Sequence, residues 1–260
     1  RPFQVPQASW FSPRYVKRYS PAWRPFEGAL SPKSVLYALT VCRTLFRWLA
    51  RVRYLAFDPW PAVANPRALA GPAPDMELTH VLSRADWDCL MESIDAIADE
   101  AHRLRARLLM RLALVTGMRL SELADARCDR IYSRPMRDGS GARWMLKVLG
   151  KGAKWRAVPL TDDVLQLLRE SLRLRGLPDD PASVPAGTAI LARLVDGEPM
   201  TDSGVAKVVK GLFADVARRL LDAGERDHAR AFERASTHWI RHTTGSFLGN
   251  DGAPPSQIQQ

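Results

Sequence analysis

Cysteine is scarce: Cys42, Cys89 and Cys128 are the three in 260 residues. Odd in number and far apart, they exclude a disulfide framework and a cysteine-built zinc site, and they fit a reducing compartment. No apolar run nears the ~20 residues needed to cross a bilayer, and no signal-peptide pattern opens the chain. The expected setting is a cytoplasm, with no membrane partner. HExxH, the Walker phosphate loop and GxSxG are all missing. Gly150-Lys151-Gly152 lacks the spacing and the following Ser/Thr of a phosphate loop, so nucleotide binding is rejected. His238 and His242 stand four apart, a spacing that can hold zinc. No Glu lies between them, no third ligand is in view and Arg241 adjoins them, so no metal site is assigned.

Acids are also scarce, but only at one end. Residues 1–70 hold Glu27 and Asp58 against 11 Lys and Arg, a net of +9 out of a total of +10, and residues 71–260 are nearly neutral. A basic block ahead of a neutral body points to a polyanion, nucleic acid before an anionic membrane. A solvated basic face has the same composition. Apolar residues are plentiful, at 46% with eight Trp, which is ample for a packed core and argues against a disordered chain.

Residues 1–30 are rich in Pro and aromatics and read as irregular. Ser31 is placed to cap a helix that Pro32 opens and that runs to about Val52. Leu36, Leu39, Cys42, Phe46 and Leu49 give it one apolar face. Arg43, Arg47 and Arg51 form a stripe on another face, spaced to follow a phosphate backbone. Prolines 59, 61, 66, 72 and 74 with Gly71 mark a linker. Beyond it, helices are expected from Ser83 to about Ala98, over Ala101–Val115, from about Ser121, from Thr161 to about Arg175, and at about Asp202–Ala223 and Ser236–Gly249. Residues 143–160 change to a period of two around a Gly150–Ala153 turn, which reads as a β-hairpin. The expected fold is mainly α with a small antiparallel β-sheet. Residues 1–65 would form a basic helical unit, 66–79 a Pro-rich linker and 80–260 a second domain.

Arg119, Lys151, His238 and Arg241 stand at structurally marked places: past a helix break, at a hairpin tip and one turn apart on a late helix. These side-chain types are what a phosphodiester would gather. Planar guanidiniums match phosphate oxygens, an ammonium can protonate a departing alkoxide, and an imidazole can move a proton. Taken singly, each reads first as an ordinary surface residue.

The local strings add more. Leu114–Leu123, reading LVTGMRLSEL, resembles the first arginine motif of the tyrosine recombinase (phage integrase) family. Val148–Leu160, VLGKGAKWRAVPL, is similar to that family's lysine-bearing hairpin, and Thr237–Thr243, THWIRHT, to its His-x-x-Arg box. The three occur in the family's order, and Ser31–Pro66 resembles the end of its core-binding domain. The resemblance implies that Arg119 and Arg241 clamp the scissile phosphate, Lys151 is the general acid and His238 assists it. Lys154 competes for the acid role and otherwise contacts DNA, as Arg43, Arg47 and Arg51 would. Glu122 would order the arginine pocket, and His242 would pack or hydrogen-bond beside it.

It further implies a 3′-phosphotyrosyl intermediate, double-stranded DNA as partner, a homotetrameric synapse and no metal or other cofactor, in a bacterial nucleoid. The nucleophilic tyrosine is the departure. Tyr15, Tyr19, Tyr37, Tyr54 and Tyr132 all precede Arg241, and none is assigned the attack. The expectation is a piece of a longer protein that binds DNA without cleaving it, monomeric as it stands. The rivals are a type IB topoisomerase-like enzyme and a non-catalytic DNA-binding relative.

Overall fold

The computed structural model describes residues 16–24, 30–63, 81–135, 141–150 and 152–250, without the side chains of Lys33 and residues 248–250. Lys151 therefore lies outside the described residues. The chain divides into two compact units, residues 1–77 and 78–260, and each has its own architecture.

The first unit is built on α1 (Pro32–Arg51). The Ser31 hydroxyl accepts the Ser34 N–H and Pro32 occupies the first turn, as the sequence reading expects. Leu36, Leu39, Phe46 and Leu49 are half-buried, and Phe46 packs 6.2 Å from the Trp60 ring. Cys42, expected on the same face, is exposed. Arg43, Arg47 and Arg51 are exposed, and Arg47 lies 4.0 Å from Asp58.

The second unit is mostly helical: α2 (Arg84–Asp95), α3 (Glu100–Thr116), α4 (Leu120–Ala124), α5 (Asp162–Leu174), α6 (Asp202–Asp222), α7 (Arg226–Arg234) and α8 (Thr237–Asn250). Its sheet has β1 (Ile131–Pro135), β2 (Ala142–Leu149) and β3 (Trp155–Pro159), antiparallel in that order. A capping box between Ser83 and Asp86 starts α2. That helix ends at Asp95, earlier than the expected Ala98, because Asp99 turns away to cap α3 by accepting the His102 N–H at 2.7 Å. Gly117, left-handed at φ +56°, closes α3.

Leu108, Leu109, Met110 and Leu112 of α3 are fully buried, so this helix is covered on more than the one side its leucine spacing marks. It packs against α5 and α8, while α6 carries α7, α2 and α4. Two elements escape the sequence reading. Strand β1 is short and three of its five residues are exposed, so alternation has little to mark. Helix α7 buries only Ala229 and Phe232 among charged neighbours and is held by tertiary contacts rather than by an apolar stripe.

Candidate active site

Three local structures meet at one point. The first is the break after α3, where the Arg119 backbone N–H donates to Glu122 Oε2 at 2.7 Å and its guanidinium donates to Oε1 at 3.0 Å. The second is β3, whose Arg156 donates to both Glu122 oxygens at 2.9 and 2.7 Å. The third is α8, whose Arg241 donates from a terminal nitrogen to the Gly117 carbonyl. A carboxylate buried at the centre thus holds two guanidiniums, and a third anchors beside them.

The side-chain exposures divide the roles. Glu122 is 4% exposed and Arg156 18%, whereas Arg119 keeps 43% of its side chain open to solvent. Arg156 and Glu122 form the closed floor, and Arg119 reaches outward from it. Burial alone would raise the Glu122 pKa; hydrogen bonds from Arg156 and from the Arg119 backbone overcome that and push it down to about 2. Burial also lowers the Arg241 pKa, and the neighbouring Arg119 and Arg156 charges lower it further. Three guanidiniums against one carboxylate leave two positive charges without a counter-charge in the cluster, among the described residues. Such a pocket suits an anion whose charge grows during a reaction.

Threonines and glycines set the approach of these elements. Thr244 of α8 donates to the Leu114 carbonyl at 2.8 Å, and Thr243 accepts the Leu82 N–H at 2.9 Å. A Cβ at Gly117 would lie 3.3 Å from the Thr244 methyl. A Cβ at Gly150 would lie 2.9 Å from an Arg156 terminal nitrogen, so the mouth of the hairpin packs directly onto the ion pair. The hairpin closes where the Gly150 N–H donates to the Lys154 carbonyl at 2.8 Å, through Gly152 and Ala153 at φ +74° and +56°.

Of the residues named from sequence, Arg119, Glu122 and Arg241 come together. Lys154 is exposed at the hairpin end. His238 and His242 are exposed on α8, their rings edge to face at 4.4 Å. Among the described residues no group of three His, Cys, Asp or Glu could hold a metal ion, and no helix is long and apolar enough to cross a membrane. Arg156 takes no role from the sequence motifs. The signal was present: it alternates in phase with Val158 and Leu160, and a charge on the inner face of a strand calls for a partner.

A helical domain with one small antiparallel sheet, and Arg119 and Arg241 brought together from 122 positions apart, is the arrangement that the tyrosine recombinase resemblance leads one to expect. Residues 81–260 match the model of the phage integrase family, and the chain belongs to it. Tyrosine recombinase XerD of Pseudomonas putida is 28% identical over 92% of this chain and 69% of its own length. Tyrosine recombinase XerC of Xanthomonas axonopodis pv. citri is 31% identical over 74% of this chain and 57% of its own. The XerH site-specific recombinase, solved bound to its difH substrate before cleavage, superposes with a TM-score of 0.51 at 25% identity, over 72% of this chain and 48% of that one. A lambda integrase tetramer bound to a Holliday junction shares the fold at 16% identity, with a TM-score of 0.53 over 88% of this chain and 57% of that one. The chain thus spans about half to seven tenths of the proteins it matches.

Proposed function

We propose that residues 80–260 form the catalytic domain of a site-specific DNA recombinase, preceded by a DNA-binding unit at 1–65 and a linker at 66–79. The observation that carries it is the convergence of Arg119 and Arg241 around Glu122, with uncompensated positive charge facing solvent. In this reading the two arginines hold non-bridging oxygens of the scissile phosphate and stabilise the extra charge of the phosphorane. A tyrosine hydroxyl attacks phosphorus and loses its proton. The bond to the 5′-oxygen breaks as Lys151 protonates that oxygen, with His238 assisting, and a 3′-phosphotyrosyl link remains.

The link conserves the phosphodiester's energy, so rejoining by a 5′-hydroxyl needs no nucleotide cofactor. Glu122 and Arg156 position the arginines, and His242 supports His238. Two duplexes offer four strands, which calls for four copies in the synapse. The duplex partner is supported by the 25% identical XerH bound to its DNA substrate. The attacking tyrosine is assigned to none of the five in residues 1–260.

The test supplies the nucleophile separately. A preferred site is selected from random duplexes, and its scission is followed with tyramine added as an external phenol. Arg119→Ala or Arg241→Ala should each slow scission by roughly 10²–10³-fold, the scale for losing one preorganised donor at a developing anion, while duplex affinity changes far less. Bound duplex whose scission ignores both arginines would remove this pocket from the chemistry. A 5′-thio substrate, with its better leaving group, should rescue Lys151→Ala. Rescue of Lys154→Ala in its place would move the acid to Lys154.

A further inference from the structure

No acidic residue occurs in any of the three strands, and their four basic residues part company by register. Arg156 turns inward to Glu122, on the side where Leu146, Val148 and Val158 are buried. Arg134, Arg143 and Lys147 stand exposed on the outer face. Arg134 lies directly opposite Arg143 in the β1–β2 ladder. Like charges placed so are destabilising, and a fold keeps them without an acid only at a cost. A cation on edge strand β1 guards against strand pairing, but Arg143 is on the central strand β2, where no edge needs guarding.

Aromatic side chains share this face. The Lys147 ammonium sits 5.4 Å from the Tyr132 ring centroid, and the Arg130 guanidinium 5.4 Å from that of Trp155. Arg130 is already matched by Asp125 at 2.7 Å, whereas Arg134, Arg143 and Lys147 form no ion pair among the described residues. Leu149 and Trp155 are register partners, 39% and 58% exposed, at the end of the sheet where Gly150 packs on Arg156. From Leu149 to Arg143 the strand covers about 20 Å at ~3.3 Å per residue.

We propose that the outer face of the sheet is a second contact for duplex DNA, with Lys147, Arg143 and Arg134 tracking the phosphate backbone away from the arginine pocket and Trp155 and Leu149 covering sugar at its near end. This rests on the recombinase reading, since it extends the same bound duplex beyond the pocket. Phosphates arriving on this face would then relieve the repulsion between Arg134 and Arg143.

The test is fluorescence anisotropy of a labelled duplex with the full 260-residue chain across a salt series, for the parent and for Arg134→Gln, Arg143→Gln and Lys147→Gln together. Counterion release gives about one unit of log–log slope per phosphate contact, so the slope should fall by about two to three units. The triple variant should melt near the parental temperature, the relieved Arg134–Arg143 repulsion offsetting the lost Lys147–Tyr132 contact. If it does not fold, Arg143→Gln alone should still lower the slope by about one unit. A parent that binds duplex beside a variant with the parental slope overturns the sheet-face contact and leaves the recombinase reading standing. A parent with no salt-dependent duplex binding overturns both. If the variant keeps the parental DNA affinity and loses affinity for polyglutamate, the face serves an acidic polypeptide and the proposal falls.

Discussion

Glu122 accepts from two guanidiniums and a backbone N–H at 4% exposure, so removing a partner strands a buried charge. Arg156→Ala should therefore destabilise the second unit by about 3 kcal/mol, the scale for breaking a buried pair from one side. Arg156→Lys should recover only part, since an ammonium cannot present the two parallel N–H groups that span both oxygens. Denaturant titration of the three proteins checks both statements. The same carboxylate has a pH signature. With its pKa lowered from 4.5 to about 2 on folding, its contribution is complete above pH 4.5 and is lost as pH falls towards 2. The stability gap between the parent and Glu122→Gln should narrow across that window.

At the scale of elements, the pocket depends on how α8 docks against the end of α3. Gly117 combines φ +56° with a 3.3 Å approach of its would-be Cβ to the Thr244 methyl. Gly117→Ala should cost about 1–2 kcal/mol, part backbone strain and part contact. Thr244→Ser, which removes the methyl and keeps the hydroxyl, should restore the contact share alone; thermal melts of the double-mutant cycle separate the two. A second joint ties α7 to α2, where the His228 ring bonds to Asp86 and, at 3.1 Å, to Glu225. Those bonds, Asp86 foremost, raise the His228 pKa above its ordinary 6.5. Their contribution is fully present below pH 6.5 and is lost as pH rises through the raised value. Melting temperature should fall over that rise in the parent, and His228→Gln should flatten the profile.

At the scale of the whole molecule, the +9 of residues 1–70 is expected to dominate the salt dependence of DNA binding. Replacing Arg43, Arg47 and Arg51 together with Ala tests the α1 stripe. Because Arg47 already faces Asp58 at 4.0 Å, the log–log slope should fall by nearer two units than three. An unchanged slope would make the stripe a solvated face.

How far the sequence could be read follows from the range of the interactions. Caps at Ser31 and Ser83, the Gly117 stop and the alternation over 143–160 are local, carried by side chains within a few positions of the backbone they act on, and all were legible. The motif strings brought Arg119, Glu122 and Arg241 into view for the same reason. What the fold alone decided are contacts across long separations: Arg156 meeting Glu122 34 positions away, and Arg241 reaching Gly117 across 124. Helix α7 and strand β1 belong with these, because each is stabilised by the surface it lies on more than by its own pattern. Arg134 and Arg143 are unremarkable as sequence neighbours of nothing. Only the antiparallel register sets them face to face, because strand pairing is chosen by the buried Leu146, Val148 and Val158 on the opposite side of the sheet.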